Sequence, residues 1–450
     1  RNFREAIVEY NRAISRRSPD SDYALFQKAL SQGATGNHSD KIATLQQLIK
    51  DFPQSAFVDD AFFETAESYL LLNDNYNALD RFSQLVTKFP NSSYVIRALL
   101  KSGLVYYNQS NYTNALSRLK TVVSDYQGTP ESKEALATIR NIYIEQNAVG
   151  DYYEFAQNVP FANVTISEQD SITYLAAENI YINNYCEGAS PAFADYLRKF
   201  PNGSFILPAS YYKAECDFKL GNLNAALESY SFVLQYPKSQ FTENALVRAG
   251  QLNYDFGNYQ EALANYRQLE LLADYPQNVT LALIGQMNSN FMLEKFSEAI
   301  SNAEKLLLRD RLNNDQKLTA HYIMAKSAMT VNNLQLATKQ FQLTKDLSDG
   351  EKGAEAKYML AAIQFRLRNF EKAEDLVFEL ANEYPSFEYW KAKGFIMLAD
   401  IYVESGNIFQ AKQTLQSIIE HYPGEDLRQI AGQKLEQIES NEKATTPNNQ

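Results

Sequence analysis

His38, His321 and His421 are the side chains best suited to hold a metal or move a proton near neutral pH. They stand far apart, and none has a ligand-spaced partner. No glycine-rich phosphate loop occurs. The adjacent carboxylates Asp59 and Asp60 fall on different faces of a helix, so they read as solvated surface and not as an acid–base pair. Cys186 and Cys216 are placed on consecutive first helices of their repeats; two small buried apolar residues is the favoured reading and a bridge is the alternative. Asp170-Ser171-Ile172 resembles a short O-glycosylation word of Bacteroidota secretory proteins, and equally reads as a helix start. These residues predict no catalytic group, no metal and no cofactor, hence a non-enzymatic chain.

The elements that carry these residues repeat. Aromatic-Pro pairs close successive segments at Pro53, Pro90, Pro201, Pro237, Pro276, Pro385 and Pro423. Pro53 and Pro423 lie 370 residues apart, ten steps of 37, with no marker proline near 127, 164, 312 or 349. A constant step in the range of about 20–50 residues is the mark of a stacked repeat. Within each step an Ala-studded apolar stretch leads to Gly-Asn-aromatic or a variant of it. An alanine follows, then a second apolar stretch at helical period.

Each copy therefore predicts two helices. In 88–126, Ser92 or Ser93 is expected to cap the first, and Ser110-Asn111 to make the turn. Pairs are expected near 22–52, 55–89, 92–127, 131–159, 167–200, 204–236, 239–275, 279–308, 315–347, 351–384 and 387–422. A half repeat over 1–18 precedes these eleven, and an amphipathic capping helix over 425–442 follows them. Ala115, Ala262, Ala373 and Ala411 are expected where paired helices touch. Residues 443–450 read as a polar tail.

One place breaks the pattern. The second helix after Gly150 is stopped by Pro160 and followed by the β-branched run 164–166. Residues 159–166 are expected to form an irregular crossing between two half-arrays, 1–158 and 167–442; a simple loop insertion that leaves the superhelix unchanged is the alternative.

The 450 residues carry a formal charge of −12, poorly suited to releasing counterions from nucleic acid, so no nucleic-acid partner is expected. No apolar run is long enough to cross a bilayer as a helix. The chain starts at Arg1 inside a repeat, so it reads as a piece of a longer array whose targeting segment lies upstream.

The pattern resembles tetratricopeptide repeats. The residues that carry it are Tyr112, Ala115 and Tyr126; Gly257, Tyr259 and Ala262; Phe370, Ala373 and Pro385; and Gly406, Ala411 and Pro423. The resemblance implies an all-α, right-handed superhelical solenoid of antiparallel helix pairs. It further implies protein or peptide partners held along the concave face that the first helices line. The long junctions 51–55, 88–92, 199–204 and 235–239 resemble the branch found in bacterial envelope proteins, and the wording of 167–184 is similar to long Bacteroidota envelope proteins. That implies a scaffold in the periplasm, or at the outer membrane, of a Gram-negative bacterium. The alternative is an array that positions an enzymatic or envelope-assembly domain located upstream.

Candidate contact residues come from the first helices. Eleven residues after the junction proline stand Glu64, Lys101, Tyr212, Arg248 and Ile396, of mixed sign and character. Lys101 and Arg248 could each hold an acidic group on a partner. Tyr107 and Tyr212 belong to the aromatic pairs Tyr106-Tyr107 and Tyr211-Tyr212, in which only one ring need be core. Lys101, Tyr107, Tyr212 and Arg248 are thus the predicted partner-binding set. Oligomeric state is not legible.

Overall fold

The computed structural model describes residues 2–445, with side chains through 442. Among the described residues there are 24 helices and no strand. Helix α1 (Phe3–Ser15) stands alone. Eleven pairs follow in chain order: α2 (Ser21–Ala34) and α3 (His38–Asp51), α4 (Val58–Leu71) and α5 (Asn75–Lys88), α6 (Val95–Asn108) and α7 (Tyr112–Asp125), α8 (Pro130–Glu145) and α9 (Val149–Gln157), α10 (Ile166–Ile182) and α11 (Cys186–Lys199), α12 (Ile206–Lys219) and α13 (Leu223–Val233), α14 (Thr242–Asp255) and α15 (Tyr259–Leu272), α16 (Pro276–Met292) and α17 (Phe296–Leu307), α18 (Asn314–Thr330) and α19 (Leu334–Leu347), α20 (Glu351–Arg366) and α21 (Phe370–Glu383), α22 (Glu388–Glu404) and α23 (Ile408–His421). The last helix, α24 (Glu425–Thr445), buries Leu427 and Ala431 against α23. It takes in 443–445 of the expected polar tail; 446–450 lie outside the described residues.

Every turn inside a pair uses one left-handed residue. These are Gly36, Asn73, Ser110, Asn147, Asn184, Gly221, Gly257, Glu294, Asn332, Arg368 and Gly406, with φ between 53° and 82°. The next residue but one position from the helix end returns its N–H to a carbonyl five residues back, as in Asn111 to Tyr106 (2.9 Å), Asn258 to Asn253 (2.8 Å) and Asn407 to Tyr402 (2.7 Å). That closes the first helix with a six-to-one hydrogen bond. The same residue then caps the second helix: Asp74, Asn111 and Asn333 each accept an N–H three residues on. In the turn at 73–76 the left-handed residue is Asn73, and Asp74 follows it as the cap.

Junctions between pairs are built differently from expectation. Ser92 does not cap α6. Its N–H bonds Phe89 O (3.0 Å) and its hydroxyl accepts from Tyr94 N–H (3.2 Å), which shapes a double turn before the helix starts at Val95. Ser55 holds the same turn with Phe52 and Phe57. A carboxylate from the preceding first helix then latches the junction. Ser55 Oγ donates to Asp22 (2.6 Å), Tyr94 OH to Asp60 (2.7 Å), and the N–H groups of Asp274 and Tyr275 to Glu243 (3.2 and 3.3 Å).

The alanine four residues after each cap is fully buried: Ala78, Ala115, Ala262, Ala299, Ala337, Ala373 and Ala411 all show no exposure. Two second helices depart from this. In α3 the position holds Lys41, whose stem passes Gly33 on α2, where a Cβ would come within 2.9 Å of Lys41 Cδ. Its ammonium pairs with Glu64. In α9 the position holds Tyr152, buried to 2% exposure. A ring where most pairs carry a methyl sits in the shortest helix among the described residues, nine residues long.

The irregular crossing is present over 158–165, and Thr165 caps α10 by accepting from Glu168 N–H (3.1 Å). Packing does not stop there, because Tyr152, Val159, Ile172 and Ala176 share one core cluster that begins at Val95. By contacts the chain divides instead into two compact units, Arg1–Leu220 and Gly221–Gln450, with the boundary at the turn of the sixth pair. Limited proteolysis is expected to cut first within 159–168. The nicked chain is expected to elute as one particle with its helical signal intact; separation into two folded pieces would instead establish 1–158 and 167–442 as independent half-arrays.

The left-handed residues set a second expectation. A side chain costs roughly 1–2 kcal/mol in that conformation. Gly257→Ala should therefore lower stability by about 1 kcal/mol, while Glu294→Gly should raise it by roughly 0.5 kcal/mol after the entropy glycine adds to the unfolded chain. Urea midpoints that fall for both variants would show that these turns are not limited by backbone strain.

Candidate partner-binding surfaces on the first helices

The four predicted contact residues sit on α6, α12 and α14, all first helices. Lys101 is not an open cation: its Nζ lies 3.0 Å from Glu67 Oε2 on α4. At the equivalent position Glu64 is taken by Lys41, and Ile396 is buried in the core beside α23. Tyr107 donates to Glu145 Oε1 (2.5 Å), and Tyr112 donates to the other oxygen of that carboxylate (2.7 Å). Tyr212 lies half-buried against the rings of Tyr181 (4.6 Å) and Phe193 (6.1 Å). Arg248, in the second unit, is half-buried on α14. Lys101, Tyr107 and Tyr212 thus each join their own repeat to a neighbouring one or to its partner helix. The structure does not gather them into one cluster.

The tyrosine pairs follow the helical period only in part. Tyr152 and Tyr211 are core, with Tyr153 and Tyr212 at the edge, whereas Tyr106 and Tyr107 are both half-buried. Tyr153 has its own task, donating to Gln169 O (3.0 Å) and so tying α9 to α10.

Cys186 and Cys216 form a disulfide, with Cα atoms 4.9 Å apart, against the favoured reading of two separate apolar residues. Cys186 opens α11, a second helix, and Cys216 lies on α12, the first helix of the next pair. Sequence spacing could not show this adjacency, because it is the stacking of one pair on the next that creates it. The neighbouring Asp170 is a buried latch, and not the start of a helix. Its carboxylate accepts from Tyr196 OH (2.5 Å) and Ser204 N–H (2.7 Å).

The histidines remain apart. His321 Nδ1 meets Gln340 Oε1 (2.6 Å) and His421 Nδ1 meets Ser417 O (3.0 Å). Among the described residues no three His, Cys, Asp or Glu side chains gather to hold a metal ion.

An arrangement missed in the sequence lies on α20 and α22. Lys393 Nζ stands 5.2, 5.4 and 5.1 Å from the ring centres of Tyr358, Tyr389 and Trp390. The available signal was the single tryptophan of the chain, with a lysine three residues on and hence on the same side of a first helix.

Helix pairs in strict succession, joined by capped turns and latched junctions, define an α-helical repeat solenoid. Residues 23–55, 60–92, 97–129 and 395–424 each match the tetratricopeptide repeat profile. These four segments carry tetratricopeptide repeats. No curated protein sequence matches it. Similar solved structures include yeast Tom70 (14% identity, TM-score 0.34, covering 95% of this chain and 97% of that one). Naa15/Naa10 bound to HypK-THB is similar at 12% identity and a TM-score of 0.37, covering 97% of this chain and 77% of that one. A tetratricopeptide repeat protein from Parabacteroides merdae is similar at 14% identity and a TM-score of 0.31, covering 60% of this chain and all (100%) of that one. All three TM-scores lie below 0.5.

The tyrosine–carboxylate bonds give the fold a pH limit. The hydrogen bond to Glu145 pushes Tyr107 up to about 12, and the bond to Asp60 pushes Tyr94 up to about 12. A folded-state pKa above the unfolded value of 10.0 stabilises the fold below pH 10 and loses that effect as pH rises towards 12. Tyrosinate absorbance and loss of helical signal should therefore rise together between those values. Glu145→Gln should let Tyr107 and Tyr112 both ionise earlier, before helix is lost.

Proposed function

We propose that this chain is a non-enzymatic scaffold that binds partner proteins along the faces of its first helices, in the envelope of a Gram-negative bacterium. The observation that carries the scaffold reading is the succession of helix pairs within each compact unit, four segments of which match the tetratricopeptide repeat profile. Such an array spreads side chains over many repeats in place of converging them on one centre. Protein is the partner class, because the acidic chain has little to offer nucleic acid. No helix among the described residues is long and apolar enough to cross a membrane.

Two features support the envelope. The Cys186–Cys216 disulfide fits an oxidising compartment such as the periplasm. The long aromatic-Pro junctions resemble those of bacterial envelope repeat proteins.

Affinity capture from envelope extract is expected to return one or a few proteins near stoichiometric yield, each binding again when purified. Capture of none, together with turnover of a small substrate, overturns the scaffold reading. The compartment is tested separately by trapping thiols in intact source cells. Both cysteines should resist alkylation until reduced; free thiols would place the protein elsewhere.

A further inference from the structure

Two junctions of this array spell nearly the same turn. Residues 88–93 read Lys-Phe-Pro-Asn-Ser-Ser, and residues 199–204 read Lys-Phe-Pro-Asn-Gly-Ser. Each closes with an N–H on the phenylalanine carbonyl, Ser92 to Phe89 (3.0 Å) and Gly203 to Phe200 (2.9 Å). Both asparagines, Asn91 and Asn202, are exposed. The next residue differs. Ser92 Oγ accepts from Tyr94 N–H (3.2 Å). At the second junction the Tyr196 hydroxyl takes that place, accepting from Phe205 N–H (3.0 Å) and donating to the buried Asp170 (2.5 Å). Asp170 also accepts from Ser204 N–H (2.7 Å). This latch leaves no room for a side chain at 203, where a Cβ would stand 2.5 Å from both Asp170 Oδ1 and Tyr196 OH. The packing thus demands glycine, and so creates the single Asn-Gly step of the chain.

Glycine after asparagine is the neighbour most open to attack by the main chain on the side-chain amide. No Cβ hinders its nitrogen, and its backbone turns freely. We infer that Asn202 is a site of spontaneous covalent modification, converted to aspartate and isoaspartate with water as the co-reactant, and that isoaspartate there releases the Asp170 latch. An open pocket of about 370 Å³, lined by Ser167, Asp170, Asn202 and Gly203 among others, admits the water.

Hydroxide removes the Gly203 amide proton, and that nitrogen attacks Asn202 Cγ. The N–Cγ bond forms, the Cγ–Nδ2 bond breaks, and ammonia leaves with a proton from water. The cyclic imide then takes up one water. Breaking the new N–Cγ bond gives aspartate. Breaking the bond from Gly203 N to the Asn202 main-chain carbonyl gives isoaspartate. In both, one amide and one water have become one carboxylic acid and one ammonia, with no change of oxidation state. Isoaspartate routes the main chain through Cγ, which adds one carbon ahead of Gly203 and Ser204. Ser204 N–H is then displaced from Asp170, and a second negative charge joins Asp170 at the same pocket. The Cys186–Cys216 disulfide still ties α11 to α12, so the opening stays local to the junction.

The test ages the full chain in mildly alkaline buffer, folded and in urea, and maps it by peptide mass spectrometry with Asn91 as the internal control. In the folded chain Asn202 is expected to convert roughly tenfold or more faster than Asn91, mainly to isoaspartate. Amide hydrogen exchange at Ser204 and Phe205 should rise in step with conversion. It should stay low in an Asn202→Gln chain aged alongside, with the same helical signal as the parent. Conversion no faster than at Asn91 in the folded chain overturns the site, whether or not urea reveals a difference. Conversion without faster exchange at Ser204 and Phe205 overturns release of the latch. So does an equal rise of exchange in the aged Asn202→Gln chain.

Discussion

The close approach of paired helices within each compact unit is the constraint on which the rest depends. In most pairs it is marked by one methyl group, the fully buried alanine four residues after the cap of the second helix. Ordinary core side chains at that position would push the helices apart, since packed interiors have no spare volume. Where the rule is broken, a compensation or a defect follows. Lys41 is admitted because α2 offers Gly33 opposite it and Glu64 neutralises its charge. Tyr152 has no such concession, and its helix is the short one that gives way to the crossing at 158–165.

Pairs are joined to pairs by polar contacts as much as by apolar ones. The latching carboxylates Asp22, Asp60, Asp170 and Glu243 receive hydrogen bonds from the next junction. Tyr107, Tyr112 and Glu145 tie repeats together across more than thirty residues of sequence. A conspicuous charge or tyrosine on a first helix is therefore commonly already engaged. Tyr322 shows the same economy. Its hydroxyl donates to Glu355, and its ring lies 5.4 Å from Lys352.

The sequence by itself determined the helix pairs, their number, the closing helix and the place of the irregular crossing. These follow from local physics: helical period, turn residues and caps act within a few positions, so a repeating text writes them out in full. It also marked the alanines at the pair contacts, because a small residue recurring at one place has to be buried. It could not tell that Ser110, Glu294 and Arg368 would take the left-handed turn position, since the register of each turn supplies that demand against their preference.

Only the tertiary structure decided which side chains meet. Lys101 finds Glu67, Cys186 finds Cys216 and Lys393 finds three rings because one pair stacks on the next at a given rotation and rise. Those contacts join residues roughly thirty or more positions apart in most of these cases, and no local pattern encodes the angle between repeats. For the same reason the compact units part at Leu220–Gly221, inside a pair whose turn reads like any other in sequence. A hydrogen bond or ion pair is decided over a few ångströms, whereas the sequence fixes a repeat's position only through the packing of every repeat between.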